Sequence, residues 1–78
     1  MTREEALEKF RAIFEERTGI NEFKEEDKFI DDLGLDSLGI MDVVAGIEEE
    51  FDISVPDEDI GKLTTVKSAI EYILEKVK

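Results

Sequence analysis

Residues 32–38 read Asp-Leu-Gly-Leu-Asp-Ser-Leu and lie where an irregular segment gives way to a long helical pattern. Asp36 is a favourable N-cap, because its carboxylate can accept hydrogen bonds from the free N–H groups of a first helical turn. The pattern predicts a helix that follows Asp36 and ends at about Phe51. Ser37 then lies in the first turn, where the helix N-terminus favours an attached phosphate. On these residues alone, a helix-start serine with no further role is the more frequent interpretation.

The predicted helix after Asp36 has a wider apolar band than a single buried stripe requires. One face of the helix carries Ile40, Val44, Ile47 and Phe51, and a neighbouring face carries Leu38, Met41 and Ala45. The helix is therefore either buried on two sides or exposes part of the band as a contact surface. Gly39 and Gly46 interrupt it, each at a cost of about 1 kcal/mol relative to Ala. That cost indicates close packing, flexibility or both.

The N-terminal part of the chain predicts one helix and a long connection. Thr2 and Glu5 have the spacing of a capping box, and Gly19 is a typical helix stop, so we expect a helix over about residues 2–17. Residues 18–36 show no sustained helical period but contain several apolar side chains, which we expect to lie over the core. In the sequence Phe29-Ile30-Asp31-Asp32, we expect the apolar pair to point inward and the aspartates outward.

The C-terminal part predicts a short helix and a long one. Asp57-Glu58-Asp59 after Pro56 can form one turn that ends near Gly61. Thr64 or Thr65 then caps a last helix, and Lys76 and Lys78 near its end suit the helix dipole. The fold class is therefore all-α: a small four-helix bundle, with three long helices, one short helix and a long apolar loop between the first two. We expect residues 1–78 to form a single domain.

Composition excludes several kinds of function. The chain has no Cys and no His, which excludes thiol nucleophiles, Cys or His zinc sites and Ser–His–Asp triads. There are 22 acidic and 10 basic residues, a net charge of −12, and no basic residue lies between Lys28 and Lys62. Such a surface repels nucleic acid and anionic membranes and favours basic protein patches or cations as partners.

Other classes of site and location are also disfavoured. The acidic run at residues 31–36 and the one at residues 57–59 lack the ligand spacing of a calcium loop, so we expect no specific metal site. Glu48-Glu49-Glu50 is most simply a solvated helix face. Because the N-terminus does not resemble a signal peptide and no apolar run could span a bilayer, we expect a cytoplasmic protein that does not insert into membranes. We also expect it to be a monomer.

Residues 33–38, Leu-Gly-Leu-Asp-Ser-Leu, resemble the phosphopantetheine attachment motif of acyl carrier proteins. The resemblance covers nearly the whole chain, and the complete set of matching segments in order is highly specific. The other matching segments are Phe29-Ile30-Asp31-Asp32, Glu48-Glu49-Glu50-Phe51, Val55-Pro56-Asp57, Thr64-Thr65-Val66, Ala69-Ile70 and Tyr72-Ile73.

The resemblance implies a carrier with no catalysis of its own. Ser37 would receive 4′-phosphopantetheine from coenzyme A through a separate phosphopantetheinyl transferase with Mg²⁺, with Asp36 and Leu38 as the flanking motif residues. The thiol of the arm would hold acyl groups as thioesters and present them to acyl-loading and acyl-processing enzymes with basic patches. By position in the family's recognition surface, the partner contacts would be Leu38, Met41, Asp42, Glu48, Glu49 and Asp57.

The chain also departs from the family's usual pattern. Gly39 and Gly61 replace positions that are commonly acidic, and Ala45 replaces a larger apolar residue. With Gly46, these departures predict a thinner recognition surface and a looser second helix. They favour a carrier for a specialised pathway over the housekeeping fatty-acid carrier, with polyketide-like synthesis also open. The alternatives are an aminoacyl or peptidyl carrier, and an unmodified acidic interaction module in which Ser37 has no role.

Overall fold

The computed structural model describes residues 1–77, so the predicted dipole contribution of Lys78 lies outside the described residues. Four helices follow one another along the chain: α1 (Arg3–Thr18), α2 (Ser37–Phe51), α3 (Asp57–Ile60) and α4 (Val66–Lys76). Over residues 1–77 the structure has no named strand, and its one β-bridge joins Lys28 to Thr65. The predicted all-α class, with three long helices and one short helix, is confirmed.

Side-chain caps set the starts of the long helices. The Thr2 hydroxyl accepts the Glu5 N–H at 3.1 Å, and the Glu5 carboxylate accepts the Thr2 N–H at 3.0 Å. Thr2 is therefore the N-cap, and α1 begins one residue later than predicted. Gly19 ends α1 in the left-handed conformation, with φ of 80°. Thr65 is the threonine that caps α4, because its hydroxyl accepts the Ser68 N–H at 3.1 Å.

The core is built around a group of phenylalanines. Phe10 and Phe14 of α1 are fully buried, and their ring centroids lie 5.4 Å apart. Phe23 and Phe29 join the group from the connection between α1 and α2, with ring centroids 5.2 Å and 5.8 Å from that of Phe14. The α4 residues buried against this group are Val66, Ala69, Ile70 and Ile73. Burial of this apolar surface is the main stabilising contribution to the bundle.

Residues 19–36 connect α1 to α2 and are fastened to the start of α4. The Phe29 N–H donates to the Thr64 carbonyl at 3.0 Å, and the Lys67 N–H donates to the Glu25 carbonyl at 2.8 Å. Phe29 is 3% exposed, but Ile30 is 60% exposed, so the expectation that both side chains point inward is wrong for Ile30. Adjacent side chains diverge along an irregular backbone, and Phe29 already occupies the position over the core.

Gly46 lies at the contact between α1 and α2. It is buried, and a Cβ built on it would lie 2.6 Å from Cγ2 of Ile13. This glycine therefore permits a close approach of the two helices, and it does not thin the recognition surface as predicted. The sequence left close packing and flexibility open for the glycines inside α2, and the structure supports close packing for Gly46.

Candidate functional site

Ser37 is the first residue of α2 and is exposed. The carboxylate of Asp36, immediately before it, accepts the Gly39 N–H at 2.8 Å, which confirms Asp36 as the N-cap. This cap leaves the N–H groups of Ser37 and Leu38 without an acceptor inside the helix. The Ser37 hydroxyl thus lies at a fixed helix end that favours a negatively charged substituent.

The segment before α2 fixes the direction from which the chain enters the helix. Gly34 has a φ of 72°, in the left-handed region that glycine adopts without strain. The Leu35 N–H then donates to the Phe29 carbonyl at 2.8 Å, which ties the segment back to a buried residue. Ser37 is therefore exposed on a backbone that is anchored two residues before it.

A groove of about 830 Å³ opens beside Ser37. It runs from the start of α2 to α3, and Met41 and Ile60 line it from these two helices. The full lining consists of Lys28, Phe29, Ile30, Asp31, Ser37, Ile40, Met41, Asp57, Ile60, Gly61, Leu63 and Thr64. The groove is largely apolar, with the ammonium of Lys28 and the carboxylates of Asp31 and Asp57 as its charged groups, so it could receive an uncharged chain beside Ser37.

Three large apolar side chains are exposed close to Ser37 in sequence or around this groove. Leu38 is 75% exposed, Ile30 is 60% exposed and Met41 is 53% exposed. The neighbouring apolar face of α2 is therefore partly an exposed contact surface, which is one of the two alternatives that the sequence left open. Leu38 and Met41 were predicted as partner contacts. Ile30 was not, and only its position next to a buried aromatic residue in a non-helical segment could have indicated it.

The structure places Asp42 and Glu49 on the side of α2 that faces α1. Nη1 of Arg17 lies 3.0 Å from Oδ1 of Asp42, and Nη2 of Arg17 lies 3.1 Å from Oε2 of Glu49. The hydrogen bond to Asp42 is the main cause that raises the pKa of Arg17. Two of the predicted partner contacts are thus ion-paired within the protein, through an arginine that the sequence analysis did not single out.

The remaining predicted contacts, Glu48 and Asp57, have different surroundings. Oε2 of Glu48 accepts the Val55 N–H at 2.8 Å, so this side chain fastens the end of α2 to the segment before α3. Asp57 is exposed at the first position of α3 and lines the groove beside Ser37. The groove therefore brings Ser37, Met41 and Asp57 together, whereas Asp42, Glu48 and Glu49 have other neighbours.

One side-chain hydrogen bond joins α3 to α4. The Tyr72 hydroxyl donates to Oδ2 of Asp59 at 2.7 Å. Removal from solvent and this hydrogen bond together raise the pKa of Tyr72 to about 12, and the same bond lowers the pKa of Asp59. The pair holds the α3 side of the groove against the bundle.

Comparisons with known proteins agree with this geometry. A family model described as "Phosphopantetheine attachment site" matches residues 8–73. Acyl carrier proteins of Chlorobium phaeobacteroides and Chlorobium phaeovibrioides are each 44% identical over 78 residues, covering 97% of this chain and 100% of the relative. The chain belongs to the acyl carrier protein family. Its prosthetic group is 4′-phosphopantetheine, and the function of the chain is that of an acyl carrier protein.

A solved structure extends the match to the three-dimensional fold. The structure is entitled "Solution structure of the apo doublet acyl carrier protein from prodigiosin biosynthesis". It superimposes on this carrier with a TM-score of 0.81 at 25% sequence identity, over 94% of this chain and 36% of that chain. The helical arrangement of the bundle is therefore that of an acyl carrier protein.

The residues around Ser37 fit the prosthetic group of the family. The hydroxyl is exposed, the N–H groups of Ser37 and Leu38 have no acceptor inside the helix, and an apolar groove begins at Ser37. Met41 and Ile60 could contact the uncharged part of the arm. When attached, the group supplies a thiol that can hold an acyl chain as a thioester.

Among residues 1–77, no group of three or more acidic side chains is arranged so that it could hold a metal ion. No helix within the same residues is long and apolar enough to cross a bilayer.

Proposed function

We propose that Ser37 is the attachment point and that this carrier holds acyl groups as thioesters on a 4′-phosphopantetheine arm joined to the Ser37 hydroxyl. The observation that carries the proposal is the exposure of Ser37 at the capped start of α2, beside the groove of about 830 Å³. Asp36 contributes as the N-cap, and Leu38 as the motif residue that follows Ser37.

The modification requires a second protein. Oγ of Ser37 attacks the pantetheine-linked phosphorus of coenzyme A, and a new O–P bond forms as the pyrophosphate P–O bond breaks. Adenosine 3′,5′-bisphosphate leaves, and the hydroxyl proton passes to a base of the transferase. The chain has no His or Cys and needs no catalytic group of its own, so we propose a non-catalytic carrier that a phosphopantetheinyl transferase with Mg²⁺ modifies.

We propose that partner enzymes dock around the groove rather than along the whole of α2. Leu38 and Met41 would provide apolar contacts, and Asp57 would attract a basic side chain at the other edge. Asp42, Glu48 and Glu49 would take part more weakly, because each already has a partner within the protein. The partners are the transferase and acyl-loading or acyl-processing enzymes with basic patches.

The proposal extends to the state of the carrier in the cell. We propose that residues 1–78 form a single domain and that the carrier is a cytoplasmic monomer. The net charge of −12 supports the monomeric state, because self-repulsion opposes association. The same charge opposes binding to nucleic acid and to anionic membranes. Fatty-acid, polyketide-like and specialised pathways share this carrier chemistry, and the departures at Gly39, Ala45 and Gly61 favour a specialised one.

The size of the core void bears on the acyl cargo. The space enclosed by α2, the connecting segment and α4 is only about 10 Å³. It is lined by Phe29, Leu35, Ile40, Val43, Val44, Ile47, Leu63 and Ala69. A single water needs about 10–15 Å³ on the same measure, so an acyl chain would enter only if α2 moved away from α4. We therefore propose that the acyl group remains outside the bundle when the helices are arranged as in this structure.

Intact-mass measurement with coenzyme A, Mg²⁺ and a broad-specificity phosphopantetheinyl transferase tests the proposal. We expect a gain of one phosphopantetheine, its loss in Ser37→Ala, and no loss in Ser54→Ala, which removes another exposed serine. Undiminished modification of Ser37→Ala would contradict the assignment of Ser37. If a known carrier in the same tube is modified and this chain is not, the acidic interaction module becomes the better reading. Later loading by an amino-acid-activating enzyme would favour the aminoacyl carrier.

A further inference from the structure

Arg17 spans two carboxylates that lie two helical turns apart on α2. Its two terminal nitrogens bind separate acids, one on Asp42 and the other on Glu49. The Asp42 side chain is 49% exposed and that of Glu49 is 77% exposed, so both remain within reach of a docking protein. The arginine side chain is 27% exposed, which is less than either of its partners.

Gly46 makes the seat in which the arginine lies. It is on α2 between Asp42 and Glu49, and a Cβ there would lie 3.2 Å from Nε and 3.6 Å from Cγ of Arg17. A shallow groove of about 200 Å³ surrounds this seat, lined by Ile13, Glu16, Arg17, Gly46, Glu49 and Glu50. A side chain at position 46 would push the arginine stem outward and lengthen its reach to both acids. The two ion pairs of Arg17 therefore depend on the absence of a side chain at position 46.

The position of Arg17 reduces the negative charge that α2 offers to a partner's basic side chains. The helix α2 contains acidic residues but no basic one, Glu48 is bonded to the Val55 N–H, and Glu50 pairs with Lys9. Without Arg17, the carboxylates of Asp42 and Glu49 would therefore be available to an incoming cation. Arg17 places one positive charge between two of them. A partner's lysine or arginine that approaches Asp42 or Glu49 meets a guanidinium already there, and must either displace it or bind beside it. Exchange of one exposed ion pair for another yields little net affinity.

We propose that Arg17 is a specificity-determining residue that acts as an internal substitute for a partner's basic side chain on Asp42 and Glu49. Enzymes that rely on these two carboxylates are disfavoured, and enzymes that dock around the Ser37 groove are favoured. This inference rests on the proposed function for its biological meaning, because the partners concerned are those of the carrier. The competition itself is a property of the unmodified chain, so it can be measured without the arm.

The experiment compares Arg17→Gln, Arg17→Lys and Arg11→Gln in a Ser37→Ala background that cannot be modified. Arg11 is also on α1, and its substitution removes the same charge. Its side chain contacts the Asn21 carbonyl and the Phe23 ring and is not paired with an acid of α2. Binding of a penta-arginine peptide is measured by calorimetry at low and high ionic strength, and amide chemical shifts locate the peptide. Thermal unfolding of each variant separates binding from stability.

We expect Arg17→Gln to bind the peptide about two- to thirtyfold more tightly than the parent at low salt, the range given by two exposed ion pairs. The added affinity should appear as shift changes near Asp42 and Glu49, should disappear at high salt, and should exceed any gain in Arg11→Gln. Arg17→Lys keeps the charge but not the two separate nitrogens, so its affinity for the peptide should lie between those of the parent and Arg17→Gln. Equal affinities of Arg17→Gln and Arg11→Gln would overturn the inference. Failure of wild-type modification in the mass assay would instead overturn the proposed function and leave this result standing.

Discussion

Substitution of Gly46 by alanine tests whether the contact of α1 with α2 requires a glycine. The added Cβ would lie 2.6 Å from Cγ2 of Ile13 and 3.2 Å from Nε of Arg17. Arg17 can move its flexible end at little cost. Ile13 cannot, because it is β-branched, with a stiff χ1 angle, and is only 7% exposed. The clash must therefore be relieved by a shift of the two helices or by strain.

Two opposing terms decide the sign of the effect. In a helix interior, alanine stabilises the folded state by about 1 kcal/mol relative to glycine. Overpacking of a close contact costs about 1–3 kcal/mol. With a contact this short against a stiff side chain, we take the upper half of that range and expect Gly46→Ala to lower the free energy of unfolding by about 1–2 kcal/mol. In a domain of this size, that corresponds to a fall in Tm of about 4–16 °C.

Gly39→Ala is the matched control, because Gly39 is also inside α2. A Cβ at position 39 would lie 3.4 Å from Oδ1 of Asp36 and 3.4 Å from Cδ2 of Leu35, which are ordinary contact distances. We therefore expect Gly39→Ala to raise the free energy of unfolding by up to about 1 kcal/mol, through the higher helix propensity of alanine alone.

Urea and thermal unfolding followed by circular dichroism measure both Gly→Ala effects. The two substitutions should shift stability in opposite directions. Ile13→Ala removes Cγ2, so Gly46→Ala should cost less in that background than in the parent, a coupling that a double-mutant cycle measures directly. If Gly46→Ala raised the free energy of unfolding as much as Gly39→Ala does, the close contact with Ile13 would be refuted as the reason for the glycine.

Two further predictions concern the capping aspartate and the only tyrosine. Asp36→Ala removes the hydrogen bond to the Gly39 N–H, and we expect it to lower the free energy of unfolding by about 1 kcal/mol, measured by urea denaturation; an unchanged midpoint would contradict the cap. Ultraviolet titration should give Tyr72 a pKa of about 12, and Asp59→Asn should lower that value, whereas an equal value in both proteins would contradict the role of the hydrogen bond. Because the pKa of Tyr72 is raised in the folded protein, the neutral tyrosine contributes to the free energy of unfolding. This contribution is present below the ordinary tyrosine pKa of about 10 and is lost as pH rises towards 12.

Local chemistry allowed the helix boundaries to be predicted from the sequence. Thr2, Asp36 and Thr65 each act on N–H groups within three residues, and Gly19 acts on the turn that it ends. Such effects depend on neighbours along the chain, so spacing alone is sufficient to locate them. Several segments of the family resemblance lie at such boundaries, among them residues 33–38 at the start of α2 and residues 64–66 at the start of α4.

The features that could not be predicted depend on residues that are distant in sequence. Arg17 meets Asp42 and Glu49 only because α1 packs against α2, and Gly46 is needed only at the depth of that contact. Ile30 is exposed because Phe29 takes the place over the core. A periodic pattern identifies apolar and charged faces, but it does not say which charges from two helices will meet.

The two sides of the groove beside Ser37 are held to the bundle with different firmness, and the side formed by the short helix α3 is the weaker one. None of its four residues is buried, and its side-chain hydrogen bond to the bundle is the one between Tyr72 and Asp59. The opposite side, at the start of α2, is held by the Asp36 cap and by the backbone bonds of the preceding segment. Segments with few buried contacts open at a lower free energy than the core behind them. A swing of α3 would therefore widen the groove without moving Ser37. Under the proposed attachment at Ser37, a bulky acyl group and a slender one would then start from the same fixed point.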